Sequence, residues 1–228
     1  MKKELFDTYI PYFNRIYNKR KSQNLEMEPF KMPLFSKNLL KKRVVLSKYR
    51  CVTNFLIESL VKGRALDFGT GFGAFLPVLS KTHKEVLAVD DSSIQIEAAK
   101  DIIDSMSLNN VKATVVDRNN GLREFSDSEF DTILVTDVLE HNKDYKSIVL
   151  ELKRMLKPDG ILIASLPREH FVYRLFARRE VEHDLERGHV YHTSKGADEV
   201  EKFLTDQFLQ LKKVSIYTFI HVMILKKT

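Results

Sequence analysis

Leu66-Asp67-Phe68-Gly69-Thr70-Gly71-Phe72-Gly73 decides how this chain is read. A short apolar run, Ala65 to Phe68, carries one acid and leads into three alternate glycines. That pattern predicts a strand ending in a tight loop, where bare backbone can come close to a ligand. The next residues, Ala74 to Ser80, predict a helix whose N-terminus faces the same ligand. A nucleotide-like group is the ligand class such a loop suits. Gly69, Gly71 and Ala74 fit the Ala-ended dinucleotide fingerprint, while Asp67 with Gly69, Gly71 and Gly73 fits an acid-led alternating loop. The loop alone leaves both readings open.

Outward from this loop, strands and helices alternate. Arg64–Phe68, Glu85–Val89, Val111–Val116, Phe130–Val135 and Ile161–Leu166 read as strands. Helices are predicted over Ala74–Ser80, Ser92–Met106 and Tyr145–Leu156, with Lys157-Pro158-Asp159-Gly160 as the turn that closes the last. Pro77 is tolerable only in a first helical turn, so the helix after strand one is expected to be short or to start late. On the second helix, Ile94, Ala98, Ile102 and Met106 share a face. After a helix from Ser194 to about Phe208, Leu211–Tyr217 and His221–Lys226 are expected to form an antiparallel hairpin at the sheet edge. The fold class is thus α/β: a Rossmann-like, doubly wound, mostly parallel sheet of seven strands, with that edge hairpin and an N-terminal helical extension.

The extension is aromatic and basic. Pro11, Pro29 and Pro33 break residues 1–36 into short helices and loops. From Lys37, Val45, Tyr49, Val52, Leu56 and Leu60 recur at helical spacing, with Ser36 as a cap and Gly63 as the stop. Residues 1–60 therefore read as an N-terminal helical, lid-like segment and 61–228 as the main domain, with 167–193 an insertion shaping a substrate pocket. Tyr9, Tyr12, Phe13, Tyr17, Phe30 and Phe35 either close over that pocket or pack onto the core, and packing is the favoured reading.

The chain has 228 residues, 43% of them apolar and 30% charged, which is ordinary for one globular domain. No apolar run approaches the roughly 18 residues of a membrane span, and Met1-Lys2-Lys3-Glu4 lacks the apolar core of a signal peptide. Cys51 is the only cysteine, which suits a reducing, cytoplasmic setting. Net charge is +6. Seven of the basic residues lie between Lys31 and Arg50 with no acid among them, so a solvated helix face is the first reading and peripheral contact with an anionic membrane surface the second. The charge is too mild to argue for nucleic acid.

Two acids end later strands. Asp90 closes strand two, where a carboxylate can accept from both hydroxyls of a ribose; Asp91 beside it competes for that role or caps the next helix. Asp117 closes strand three, where a carboxylate can accept from an adenine amino group.

With the glycine loop, Val89-Asp90-Asp91-Ser92, Asp117, Phe130-Asp131-Thr132-Ile133-Leu134-Val135-Thr136-Asp137-Val138-Leu139-Glu140-His141 and Leu152-Lys153-Arg154-Met155-Leu156-Lys157-Pro158-Asp159-Gly160 in hand, the chain resembles the class I S-adenosylmethionine-dependent methyltransferases. Within them it is most similar to the small-molecule group that includes the quinone-biosynthesis enzymes. The resemblance covers about residues 60–167. It implies S-adenosylmethionine as cofactor, with the methionine part against Asp67, Gly69, Thr70, Gly71 and Gly73. It implies the ribose on Asp90 with Asp91 nearby, the adenine against Asp117 and Arg118, and Thr136 on the floor near the sulfonium. Phe68, Thr70 and Phe72 make this loop bulkier than the family's common form, and Asp159 replaces a usual glycine.

The implied reaction is in-line methyl transfer to an O, N or C nucleophile of a small or lipid-like acceptor. His141 is the candidate base, with packing beside the cofactor as its alternative. His170, His183, His189 and His192, with Arg174, Arg178 and Arg179, fall in the substrate-side insertion. No cysteine joins His189-x-x-His192, so no metal is predicted. The alternatives are an NAD(P)-dependent oxidoreductase, for which no Tyr-x-x-x-Lys is found, and a non-catalytic adaptor on the same fold. The sequence leaves the oligomeric state open.

Overall fold

The computed structural model describes residues 5–25, 39–117, 121–167, 194–217 and 220–228. Seven strands form one sheet: β1 (Arg64–Phe68), β2 (Glu85–Asp90), β3 (Val111–Val115), β4 (Phe130–Thr136), β5 (Leu156–Pro167), β6 (Leu209–Ile216) and β7 (Ile220–Lys226). Their order is β3-β2-β1-β4-β5-β7-β6. Pairings from β3 through β5 are parallel; β7 runs antiparallel to both β5 and β6. The expected fold class, including the edge hairpin, is what forms.

Among the described residues six α-helices flank the sheet: α1 (Ile10–Ser22), α2 (Leu39–Glu58), α3 (Leu76–Thr82), α4 (Ser93–Met106), α5 (Tyr145–Met155) and α6 (Ser194–Gln207). Alternate side chains of a strand face opposite ways, and the two faces have separate cores. Ala65, Val86, Ala88 and Ile163 pack with the described N-terminal residues, α3 and α4 on one face. Leu66, Phe68, Ile133, Val135 and Leu162 pack under α5 and α6 on the other.

Several boundaries move, each for a local reason. The helix after β1 begins at Leu76, which puts Pro77 in its first turn, where a missing N–H costs nothing. Helix α4 buries Ile96, Ala98, Ala99 and Ile102, while Ile94 is exposed; the buried stripe is rotated from the predicted one. Ser92, not Asp91, is its cap, accepting from the Gln95 N–H. Helix α2 ends at Glu58, five residues before Gly63, and leaves Leu60 almost fully exposed. Residues 157–160 are carried as a bulge inside β5: Phe130 pairs Leu156, but Thr132 pairs Ile161. Asp159 there has φ +62°, a conformation for which glycine is the usual residue. Ser36, Phe30, Phe35, Pro29 and Pro33 lie outside the described residues.

Of the described aromatic residues, Tyr9 and Phe13 are buried and Tyr17 packs against the core, as favoured, whereas Tyr12 is exposed. Phe6 stacks on Tyr49 at 4.7 Å between centroids, and Tyr49 meets Phe75 edge-on at 5.1 Å. Phe13 meets Phe72 edge-on at 5.6 Å, so the bulky residue of the glycine loop is a buried anchor between α1 and the loop. The basic stretch is less solvated than expected. Arg50 makes a two-pronged contact with Asp7, and Lys48 is buried. Lys31 and Lys37 lie outside the described residues. Among these residues no helix is long and apolar enough to cross a membrane.

Candidate functional site

Strand order reverses direction between β1 and β4, and such a switch point opens a crevice beyond the strands' C-terminal ends. Three segments meet there: the 69–73 loop after β1, Asp90 at the end of β2, and the 137–141 turn after β4.

The loop needs its glycines. Gly69, Gly71 and Gly73 have φ of +74°, +54° and +88°. A Cβ on Gly69 would sit 2.3 Å from Val138 Cγ2, so the loop lies directly against the turn that follows β4. A Cβ on Gly71 would meet only Gln95 Oε1, at 3.8 Å, so the backbone is open there. That Oε1 is buried with no hydrogen-bond partner among the described residues.

Asp90 fixes the loop. Its Oδ2 accepts from Gly71 N–H at 2.9 Å and its Oδ1 from Ser92 N–H at 3.0 Å. Gly69 and Thr70 both donate backbone N–H bonds to Val89 C=O. Asp67 is buried, and its Oδ2 accepts from Thr70 Oγ1 at 2.7 Å. Thr70 therefore holds Asp67 instead of crowding the loop. Burial pushes the Asp67 carboxyl up to about 7, and Asp90 adds to the rise against the Thr70 bond.

That shift has a sign. A carboxyl raised in the fold costs stability that appears as pH climbs from its ordinary 3.8 and is complete above about 7. Asp67→Asn keeps the acceptor for Thr70 and removes the charge. Thermal unfolding should show the variant, without ligand, more stable than the parent at pH 8, by up to about 4 kcal/mol, and nearly equal at pH 4. A variant less stable at pH 8 would contradict the burial cost.

At the end of β4, Asp137 takes φ +56°. Its Oδ1 accepts from Ser165 Oγ at 2.6 Å, and its Oδ2 is bonded to Lys48 Nζ, which reaches in from α2. Burial works against the Lys48 charge, but Asp137, with Tyr49 and Glu140, outweighs it and holds the ammonium above its ordinary value. Glu140 is buried beside them. Burial, then repulsion from Asp137, pushes its carboxyl well above the usual range. His141 Nε2 lies 3.6 Å from Glu140 Oε1, too far for a hydrogen bond.

The predicted residues thus gather unevenly. Asp67, Gly69, Thr70, Gly71, Gly73 and Asp90 form one cradle. Thr136 ends β4 beside Ser165 of β5 and is half-buried. Asp91 and Asp117 are exposed; the Asp117 carbonyl accepts from Gly121 N–H at 2.8 Å. Arg118 and the histidines and arginines of 168–193 lie outside the described residues. Lys48, Gln95, Glu140 and Ser165 were not singled out by sequence. Lys48 had a signal: it sits three residues after Val45 and four before Val52, on the apolar stripe of its helix.

Known proteins share the family and the fold. A family model described as a methyltransferase domain matches residues 60–212. A ubiquinone biosynthesis O-methyltransferase of Bradyrhizobium diazoefficiens is 31% identical over 151 residues, 64% of this chain and 58% of that protein. A protein-L-isoaspartate O-methyltransferase of Roseobacter denitrificans is 30% identical over 125 residues, 55% of each. The chain thus spans little more than half the length of these curated relatives. The N-methyltransferase NodS of Bradyrhizobium japonicum, solved with S-adenosyl-L-homocysteine, superposes with a TM-score of 0.61 at 19% identity, covering 93% of this chain and 98% of that one. At that identity the likeness shows the fold.

Proposed function

Because this chain belongs to the methyltransferase-domain family, we propose that it transfers the methyl group of S-adenosylmethionine to an O, N or C nucleophile of a small or lipid-like molecule. The observation that carries the reading is the cradle: Asp90 tied to Gly71 and Ser92 N–H groups, beside a buried Asp67 and an open Gly71 backbone. Its chemistry suits that donor. The buried Asp67 carboxyl favours a cationic partner, and the donor's methionine carries an ammonium. A carboxylate at the end of β2, where Asp90 stands, suits ribose hydroxyls. The orphaned Gln95 Oε1 offers a further acceptor.

The residues that would hold the donor are Asp67, Gly69, Thr70, Gly71 and Gly73 at its methionine end and Asp90, with Asp91, at its ribose. Asp117 and Arg118 would take the adenine and Thr136 the floor. When bound, the donor supplies a methyl carbon already activated by the positive sulfur, whose bonding pair stays on sulfur as the carbon leaves. The protein's share is placement and exclusion of water. His141 is kept as the candidate base for an acceptor that must lose a proton.

In this reading residues 61–228 make up the methyltransferase domain and 1–60 its N-terminal segment, whose described residues cover one face of the sheet. The protein works in the cytoplasm, with peripheral contact to anionic lipid through the basic stretch as a secondary feature. The oxidoreductase and adaptor alternatives gain no support from the relatives named above. The test is incubation of the purified full chain with methyl-labelled S-adenosylmethionine and a panel of phenols, primary amines and quinone-like lipids. Label is expected in one acceptor class. Donor binding without transfer to any class would contradict the reading.

A further inference from the structure

Glu140 is the most anomalous group beside the cradle. Its side chain is 4% exposed. Neither carboxyl oxygen finds a hydrogen-bond partner in another described residue; its own backbone N–H is the donor turned towards it. Buried carboxyls ordinarily have partners, so one without them marks either a cost or a place where something else binds. The surroundings favour the second. Lys48 from α2 is the cation of this cluster, and it is already bonded to Asp137 at the end of β4. His141, next along, stands at 3.6 Å. Helices α5 and α6 also pack on this turn, but Tyr145 of the one and Glu199 of the other act on each other. From β5 the contribution is the Ser165 hydroxyl, which goes to Asp137. Among the described residues the cluster sets one ammonium against one carboxylate and leaves Glu140 with His141, at 3.6 Å, as the cationic group in reach when protonated.

The location matters as much as the imbalance. Val138, two residues before Glu140, is the side chain that a Cβ on Gly69 would strike. The turn bearing Glu140 thus abuts the loop proposed to hold the methyl donor. Resting on that reading, we propose that Glu140 is the proton-linked counter-charge to the donor's sulfonium. In the free protein burial, then repulsion from Asp137, favours its neutral form. A positive sulfur brought close favours the carboxylate, so donor binding drives the proton of Glu140 into solvent. After transfer the sulfur is neutral, the counter-charge is no longer needed, and Glu140 takes a proton back. Donor and product are then distinguished by charge at one buried carboxyl.

Calorimetric titration of the full chain, in two buffers of different ionisation enthalpy, counts the protons exchanged on binding. S-adenosylmethionine and S-adenosylhomocysteine share the ammonium and carboxylate, so any response of Asp67 is common to both and cancels. The difference isolates the sulfonium. At pH 7 the wild-type protein is expected to release more protons with the donor than with the product. Its preference for donor over product should grow about tenfold for each unit that Glu140 is displaced by the sulfonium, as pH rises through the titration of that carboxyl. In Glu140→Gln both the proton difference and the pH trend should vanish, while product affinity stays within about threefold; Glu140→Asp should retain the difference. Equal proton counts for the two ligands in the wild-type protein would overturn the proposal without recourse to any variant. So would an unchanged difference in Glu140→Gln. If neither ligand binds the wild-type protein, the donor-site reading itself falls, and this inference with it.

Discussion

Replacing Asp90 with alanine is expected to weaken S-adenosylmethionine binding about 100-fold, ~2.8 kcal/mol. Two losses combine. The ribose would lose a carboxylate acceptor, and hydrogen bonds to a charged group contribute about 1.5–3 kcal/mol. The loop would lose the tie between Gly71 N–H and the end of β2, and the Ser92 N–H at the head of α4 would lose its acceptor as well. A loop freed of that tie must be ordered again by the ligand, which costs affinity. Asp90→Asn separates the two, since its single amide oxygen can still accept from one of the N–H groups; about tenfold weakening is expected. Titration calorimetry measures both. Affinity unchanged in Asp90→Ala would remove this residue from the site.

The second large effect is on stability. Asp137→Asn is expected to destabilise the fold by about 3–5 kcal/mol at pH 7. Asparagine tolerates the φ of +56° at this position, so backbone strain is not the cause. What changes is Lys48, whose side chain is 4% exposed and would be left as a buried ammonium without its bonded carboxylate. The pH dependence should also alter. A lysine raised in the fold contributes stability that is complete below its ordinary 10.5 and lost as pH climbs beyond it. In Asp137→Asn burial, the largest influence on Lys48, is opposed only by Tyr49 and Glu140, so the variant should recover part of its deficit at high pH, where the lysine becomes neutral. The double variant Lys48→Met with Asp137→Asn removes both charges and should regain most of the loss. Urea unfolding of Asp137→Asn, Lys48→Met and the double variant decides the point. Additive losses in the double variant would contradict a pairwise origin.

The sheet was legible because its signals are local. Phe130 to Val135 is a continuous apolar run, as a strand buried on both faces requires, and strand β1 falls on its predicted residues Arg64–Phe68. Pro77 announced the late start of α3 through its own chemistry. The bulge at 157–160 was read as a helix stop, because Pro158 and Gly160 look alike in a turn and in a bulge; only the neighbouring strand's register distinguishes them. The cradle was legible for the same local reason, since three glycines and two acids lie at fixed offsets from strand ends.

The charged cluster was not. Lys48 and Asp137 are 89 residues apart, and their pairing depends on how α2 lies across the sheet. Counted with its neighbours, Lys48 belonged to a basic run; counted by helical period, it belonged to the buried stripe, and burial followed the period. Glu140 could be quoted as part of a motif, but its missing partners appear only once the turn is folded against the core.

The central claim is that the 69–73 loop and Asp90 hold S-adenosylmethionine. Side-by-side calorimetric titration of the full chain with S-adenosylmethionine, S-adenosylhomocysteine and NADH tests it most directly. Micromolar binding of the first two and none of NADH is the predicted result. Binding of NADH alone would contradict the account and return the glycine loop to a dinucleotide.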